Sequence, residues 1–208
     1  MPRPRFARLP AARQRALLEA AAHEFGAHGF EDASINQILD RAGVSKGAAY
    51  YYFDDKEDLF LTVVQHYMAE LHVDNFEELV ESVTADTFWP RLTDFYRGPI
   101  VQSHDIPWAF GVWRAAGEMM RARPGGALAA FANGYLDILR RLLKRGQILG
   151  IVRTDLPDDL LMAWVRAVDD ASDRWILEHW DELDLAALQA AAERVVDGIR
   201  RLIGTHGS

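Results

Sequence analysis

Apolar residues recur at the spacing of an α-helix along almost the whole chain, and the alternation of apolar and polar positions that marks a β-strand is rare. In the segment 34–42 the apolar residues stand at i, i+3, i+4 and i+7, so they share one face of a helix. Longer patterns of the same kind are separated by short breaks that contain glycine or proline, at 97–99, 106–107 and 123–126. The chain is therefore predicted to be all-α.

The segment 34–60 predicts two short helices joined by a tight turn, followed by the start of a third. Ser34 is a preferred N-cap residue, and Gln37 stands three positions later, as in a capping box. Gly43 can adopt the left-handed conformation with which many helices end, and Ser45 can cap the next helix at once. A connection this short sets two helices at the steep angle of a helix-turn-helix, which indicates DNA binding.

The second helix of this pair carries residues suited to contact with DNA. Its first turn holds Lys46, which can bond to phosphate, and Gly47 and Ala48, whose small side chains allow close approach to the groove. The alternative is that the tyrosines that follow form a core stripe and that Lys46 is a solvated charge. Lys56, in the first turn of the third helix, is expected to be free to point at a phosphate. The candidate DNA contacts of this region are Ser34, Gln37, Ser45, Lys46, Gly47, Ala48, Tyr50, Tyr51 and Lys56.

Four segments between about residues 11 and 64 share the pattern of one known family. They are 13–25, 29–30, 44–53 and 56–60. Over them the chain resembles the N-terminal domain of the TetR family of bacterial regulators. The resemblance implies a helix-turn-helix domain of three helices over 11–56 and a helical ligand-binding and dimerisation domain over 57–208. It also implies a regulator, here interpreted as a repressor, that a small-molecule effector releases from a pseudo-palindromic operator. Ala48, Ala49 and Tyr51 depart from the family's usual threonine, larger apolar residue and histidine, which bears on the operator sequence.

The distribution of charge supports a DNA contact at one end of the chain. The 208 residues carry a net charge of −8, which alone does not suit a nucleic-acid binder. Residues 1–56 hold eight Lys and Arg against seven Asp and Glu, whereas residues 57–208 hold fifteen against twenty-four. The positive field is therefore local, as in a protein that binds DNA by one end and keeps its bulk away from it.

Residues 1–10 are predicted to be a flexible basic arm. They lack helical periodicity, and their prolines argue against a helix. Arg3, Arg5 and Arg8 are expected to lie in the minor groove beside the major-groove site of the recognition helix. The alternative is a solvated tail that serves only solubility.

The last two helical patterns carry apolar stripes surrounded by alanines. Two such helices from each subunit can form a four-helix seam, and the resemblance to the TetR family implies the same homodimer. DNA binding also requires a dimer, because two recognition helices must enter successive major grooves about 34 Å apart. The alternative assigns the stripes to the core of the single chain. The candidate interface residues are Leu161, Trp164, Val168, Trp175, Leu188, Val195, Ile199 and Leu202.

Aromatic and methionine side chains concentrate between residues 88 and 131. Side chains of this kind line most ligand pockets, together with a few polar groups that orient the ligand. The cluster predicts a bulky apolar or aromatic effector, and the alternative is an ordinary aromatic core. The candidate ligand contacts are Trp89, Phe95, Tyr96, Trp108, Phe110, Trp113, Met119, Met120 and Phe131, with Trp164 and Asp169 from later in the chain.

Other classes of function have weaker support in the sequence. His66 and Glu70, like Asp169 and Asp173, stand four positions apart and could hold a metal, but no third ligand is placed beside either pair. No catalytic or cofactor-binding motif is present, so neither an enzyme nor a cofactor is expected. The absence of an apolar run of membrane length and of a signal-peptide pattern predicts a cytoplasmic protein, and the absence of cysteine, which fits any compartment, excludes disulfides. The alternatives left open are a TetR-like protein-interaction module without operator control and a metal-binding helical protein.

Overall fold

The computed structural model describes residues 4–45, 49–70, 76–104, 106 and 108–205. Regular structure in these ranges is helical apart from one isolated antiparallel bridge between Val152 and Gly204, and the prediction of an all-α protein is confirmed. No helix in the described ranges combines the length and the apolar composition that a membrane crossing requires. The helices are α1 (Pro4–Ala7), α2 (Ala11–Asp32), α3 (Ile35–Arg41), α4 (Ala49–Tyr52), α5 (Lys56–Glu70), α6 (Phe76–Ser82), α7 (Phe88–His104), α8 (Ala109–Ala122), α9 (Ala127–Ile148), α10 (Asp158–His179) and α11 (Leu185–Ile203), with a 3₁₀ turn at Trp180–Glu182.

Contacts divide the chain into two compact units, each with an apolar core. Unit 1 is formed by Met1–His72 and Ile106–Phe131, and unit 2 by Val73–Asp105 and Ala132–Ser208. Helices α5 and α8 both pack on α2 in unit 1, so the predicted boundary after residue 56 falls inside this unit. As a boundary between DNA reading and ligand binding, it stays a prediction.

The core of unit 1 is built around aromatic residues of α2 and α5. The rings of Phe25 and Phe60 meet edge to face with centroids 4.7 Å apart, and Phe30 lies 5.4 Å from Phe60. All three side chains are buried, and such aromatic pairs attract each other beyond the effect of burial alone. Ile38 and Leu39 of α3 fill the same core. The apolar face predicted for α3 is therefore the face that it buries.

Helix α8 approaches α2 closely because glycines stand at their crossing point. A Cβ atom added to Gly111 would lie 2.2 Å from the backbone carbonyl oxygen of Gly26, and one added to Gly26 would lie 2.9 Å from that of Trp108. Side chains at these two positions would force the backbones apart, because the atoms in the way belong to the main chain. The glycines thus fix how closely α8 packs against the helix that carries Phe25 and Phe30.

In unit 2, the turn after α9 pairs with the end of α11. Gly150 has a φ of 74° and ends α9 in the left-handed conformation that glycine adopts without strain. The Arg153 N–H then donates to the Ile203 carbonyl oxygen at 2.9 Å. The Thr205 N–H donates to the Ile151 carbonyl oxygen at 3.0 Å. These bonds tie the last turn of α11 to the loop that leads into α10.

Candidate nucleic-acid interface

Helix α3 and the turn after it have the geometry predicted for the first half of a helix-turn-helix. The Ser34 hydroxyl accepts a hydrogen bond from the Gln37 N–H at 3.4 Å, so Ser34 is the N-cap. The other half of the capping box comes from α2, because the Ser34 N–H donates to the Glu24 carboxylate at 2.9 Å. Gly43 has a φ of 64°, which confirms the predicted left-handed turn residue. The Gln37 side chain is exposed on the outer face of α3.

Helix α4 follows this turn and presents Tyr51 to the outside. The Tyr51 side chain is 48% exposed, whereas Phe53, directly after the helix, is buried in the core of unit 1. Tyr52 is half-buried and packs against the same core. Tyr52 and Phe53 therefore anchor the short helix, and Tyr51 has the exposure that a contact with DNA requires.

Several predicted DNA contacts are exposed or lie outside the described residues. Ser45 and the Arg8 side chain are exposed. The candidates that lie outside the described residues are Arg3, Lys46, Gly47, Ala48 and the side chain of Tyr50. Contact of any of these candidates with DNA stays a prediction.

The Lys56 ammonium group is bound within the protein. It donates hydrogen bonds to the backbone carbonyl oxygens of Glu31 at 2.8 Å and of Ala33 at 3.3 Å. It also lies 5.0 Å from the centroid of the Phe30 ring. The expectation that Lys56 is free to point at a phosphate is therefore wrong, because the last carbonyls of α2 attract a cation and lie within its reach.

The N-terminal segment is a helical turn over Pro4–Ala7, and the prediction that it contains no helix is wrong there. Pro4 opens the turn at a position where the helix needs no N–H, so the proline ring costs no hydrogen bond. Phe6 is only 5% exposed, and its ring centroid lies 5.0 Å from that of Phe53. Burial of this side chain supplies the stabilisation that the local sequence lacks. Phe6 is the one aromatic residue of the first ten positions, which is the signal that the sequence prediction missed.

Arg123, directly after α8, is a second residue that the sequence prediction missed. Its guanidinium donates to the carboxylates of Glu57 at 2.9 Å and of Glu31 at 3.0 Å. It also lies 5.1 Å from the centroid of the Phe30 ring. Arg123 thus joins α8 to the end of α2 and the start of α5. Glu57 and Glu31 stand 66 and 92 positions away along the chain, so no local pattern indicates this contact.

A capped helix, a left-handed glycine turn and a short helix with an exposed tyrosine together define a helix-turn-helix DNA-binding protein. The family model described as bacterial regulatory proteins, tetR family, matches residues 17–63. The match begins within α2, ends within α5 and includes α3 and α4. The predicted resemblance to the TetR family is confirmed over this region, and a named repressor is among the similar proteins.

One curated relative and two solved structures extend the similarity beyond this region. The HTH-type transcriptional repressor AcnR of Corynebacterium diphtheriae is 28% identical, over 76% of this chain and 77% of AcnR. SmeT, the repressor of the Stenotrophomonas maltophilia multidrug efflux pump SmeDEF, has a similar structure with a TM-score of 0.72 at 18% identity, covering 97% of this chain and 94% of SmeT. FadR of Bacillus subtilis, in complex with stearoyl-CoA, has a TM-score of 0.67 at 20% identity, covering 88% and 98%. The two solved structures support the fold along nearly the whole chain.

The predicted ligand contacts are divided between the two units. In unit 1, Met119 is buried and lines a cavity of about 190 Å³ together with Phe30 and Ala115. Phe131, by contrast, is 38% exposed. Contact of any of the predicted residues with a ligand stays a proposal. The set in unit 1 is Trp108, Phe110, Trp113, Met119, Met120 and Phe131, and the set in unit 2 is Trp89, Phe95, Tyr96, Trp164 and Asp169.

In unit 2, a group of aspartates on α10 lies beside Tyr96 of α7. The Tyr96 hydroxyl donates a hydrogen bond to the Asp169 carboxylate at 2.5 Å. Burial raises the pKa of Asp169 to about 6, the bond from Tyr96 acts in the opposite direction, and the charge of Asp170 adds to the rise. Burial also raises the pKa of Asp173 to about 7, with the charges of Asp169 and Asp170 adding to it. Asp169 and Asp173 therefore keep their protons to a higher pH than an ordinary aspartate does.

The structure gives no support to the two pairs that could hold a metal. Within the described residues, no group of three or more His, Cys, Asp or Glu side chains could hold a metal ion. The side chain of Glu70, the predicted partner of His66, lies outside the described residues. Asp169 is instead bonded to Tyr96.

The predicted dimer-interface residues divide between the core of unit 2 and its surface. Leu161, Leu188 and Ile199 are at most 2% exposed, so their assignment to an interface is wrong: they fill the core of the single chain. Trp175 and Leu202 are 46% and 38% exposed, and their place in a dimer interface stays a prediction. The half-buried members of the set are Trp164, Val168 and Val195.

Proposed function

We propose that the protein is a homodimeric transcription repressor that binds a pseudo-palindromic operator through α3 and α4 and leaves it when a small effector binds. The observation that carries the proposal is the combination of Ser34 as a cap, Gly43 as a left-handed turn and Tyr51 as an exposed side chain on α4. AcnR and SmeT are both named repressors, which supports repression as the direction of regulation.

The effector that we propose is bulky and apolar or aromatic. Trp89, Phe95 and Trp164 are half-buried side chains packed along the core of unit 2, and Tyr96 with Asp169 adds a polar group to the same unit. Stearoyl-CoA, present in the FadR complex, shows that a protein of this fold accommodates a long apolar chain. The aspartates of α10 repel an anionic group, so a neutral or cationic apolar compound fits this chain better than an acyl-CoA.

Effector and operator binding are linked in this proposal. If the effector weakens operator binding by some factor, the operator must weaken effector binding by the same factor. The coupling requires that the two recognition helices of the dimer no longer fit successive major grooves when the effector is bound. Independent affinities for effector and operator would remove this mechanism.

The first experiment measures binding of the purified protein to DNA flanking its own gene and to an unrelated duplex of the same length at several salt concentrations. A specific complex that persists at physiological salt is expected, because sequence-independent binding weakens steeply with salt. Tyr51→Ala should weaken this complex about tenfold, and Tyr51→Phe separates the role of the hydroxyl from that of the ring. Equal, salt-labile binding to both duplexes would favour a protein-interaction module without operator control.

The effector is sought by thermal shift with three sets of compounds: neutral aromatic, cationic apolar, and stearoyl-CoA. A ligand that binds only the folded protein raises the melting temperature. Compounds that do so are then added to the operator complex, where they should release DNA. Stabilisation by stearoyl-CoA alone would contradict the preference for neutral or cationic compounds.

A further inference from the structure

The N-terminal turn α1 is fastened to α2 by one glutamine. The Gln14 side-chain amide donates hydrogen bonds to the backbone carbonyl oxygens of Leu9 at 2.8 Å and of Ala7 at 3.3 Å. The turn itself is closed by a bond from the Leu9 N–H to the Phe6 carbonyl oxygen at 3.0 Å. The segment that was predicted to be a free arm is therefore held at a defined place on unit 1.

From this place, α1 packs directly on α4. The ring of Phe6 lies 5.0 Å from Phe53 and 6.4 Å from Tyr52, measured between centroids. Helix α4 has only four residues, and a helix so short is not stable without packing. Phe6 thus supplies part of the packing that keeps α4 helical and in position.

Arg5 approaches the outer side of the same helix. Its guanidinium lies 4.4 Å from the ring centroid of Tyr51, within the range of a cation–π contact. Both side chains are exposed, so this charge is held beside α4 and faces solvent. Arg8, three residues along the chain, is exposed as well, and the structure shows no ring beneath it among the described residues.

We propose that Phe6 is a positioning residue for the recognition helix and that Arg5, stacked on Tyr51, contacts the DNA backbone beside that helix. The proposal rests on the proposed function as an operator-binding protein. It assigns Arg5 a phosphate next to the major groove entered by α4, in place of the neighbouring minor groove expected for a flexible arm. Its physical basis is pre-organisation: a helix already held in its bound position loses less conformational freedom on binding.

The role of Phe6 is tested with Phe6→Ala, Phe6→Leu and Gln14→Ala, each compared with the unchanged protein for operator affinity, unrelated-duplex affinity and far-UV circular dichroism at the assay temperature. Phe6→Ala should lower operator affinity about tenfold or more and change unrelated-duplex affinity less, because ordering of α4 matters most for base contacts. Phe6→Leu should restore most of the loss. Gln14→Ala loosens α1 without altering the core and should also lower operator affinity. It therefore tests the same role if Phe6→Ala does not fold.

A folded Phe6→Ala protein with unchanged operator affinity would overturn the positioning role. A parallel loss for both duplexes, without rescue by leucine, would also overturn it, since that pattern means a general loss of folded protein. If the unchanged protein itself shows no preference for operator DNA, the proposed function has failed before the role of Phe6 is reached. The two failures are therefore distinguishable.

The role of Arg5 is tested by the dependence of operator affinity on salt, with Arg8→Ala as the matched control. Each substitution removes one charge from the same short segment. Arg5→Ala should reduce the slope of log affinity against log salt by about 1, as expected for one lost phosphate contact, and Arg8→Ala should reduce it less. Equal reductions would mean that the segment acts only through its net charge and would overturn the assignment to Arg5.

Discussion

Asp169 and Asp173 of α10 make the folded protein bind protons more tightly than the unfolded chain does. The ordinary pKa of an aspartate is 3.8, and burial raises it to about 6 for Asp169 and to about 7 for Asp173. A group whose pKa is raised on folding stabilises the fold when it is protonated. The contribution is therefore complete below about pH 4 and is lost as the pH rises through about 7.

Asp173→Asn should flatten the dependence of stability on pH. The free energy of unfolding should fall between about pH 5 and about pH 8 in the unchanged protein. In this variant the fall should be smaller by about 1–2 kcal/mol, after allowance for partial exposure. Urea unfolding at several pH values measures the difference. Glu178→Gln, which neutralises an exposed acid on the same helix, is the control and should leave the pH dependence as it was. An unaltered pH dependence in Asp173→Asn would show that this carboxyl does not titrate as described.

Residues whose role depends on nearby chain positions could be predicted from the sequence, and residues held by distant partners could not. Ser34 and Gly43 act through the backbone geometry of the next few residues, so their types alone indicate a cap and a left-handed turn. Glu24 completes the Ser34 cap from another helix, and Lys56 binds carbonyl oxygens 23 and 25 positions away. Such contacts depend on how helices pack, which spacing along the chain does not reveal.

The crossing of α2 and α8 depends on glycine. The backbones touch at Gly26 and Gly111, and Trp108 caps the contact with its ring 3.8 Å from that of Tyr67, between centroids. Close packing of this kind leaves no space to absorb an added methyl group. Because Gly26 and Gly111 have no side chains, α8 can pack at this position relative to the helix-turn-helix.

Gly111→Ala should destabilise the protein, although alanine favours helix more than glycine does. The added Cβ would lie 2.2 Å from a backbone oxygen, and overpacking of this kind costs about 1–3 kcal/mol. Gly117→Ala, on the same helix, meets only the end of the Arg121 side chain at 3.4 Å and should stabilise by up to about 1 kcal/mol. Thermal and urea unfolding of the two variants should therefore move in opposite directions. A stabilised Gly111→Ala would mean that the crossing can open at little cost.

The sequence pattern located the apolar stripes of α10 and α11 but did not tell which partner covers them. A stripe at helical spacing has the same form whether it meets a helix of its own chain or of a second subunit. Leu161 and Leu188 turn out to lie in the core of unit 2, whereas Trp175 and Leu202 remain at the surface. The sequence pattern was enough to predict the fold class. Only the packing of the helices shows which apolar residues lie in the core and which remain at the surface.

Operator binding by two helix-turn-helix regions, one from each subunit, requires a stable dimer. The exposed side of α10 combines apolar Leu160 and Trp175 with the small residues Ala163, Ala167 and Ala171. Small side chains let two helices approach closely, and the apolar residues gain by leaving water. This face is therefore the proposed seam between two copies of the chain.

Ala167→Glu should convert the dimer to a folded monomer. The residue is exposed in the single chain, so a glutamate is tolerated there, but two of them would be buried against each other in the seam. Sedimentation should give a mass near 23.5 kDa for the variant and twice that for the unchanged protein. Operator affinity should fall roughly 100-fold, because the second head no longer binds as part of the same molecule. Ala130→Glu makes the same change at an exposed alanine of α9 and should alter neither quantity. A dimer that persists in Ala167→Glu would place the seam on another face, and a monomer that keeps full operator affinity would remove the requirement for two heads.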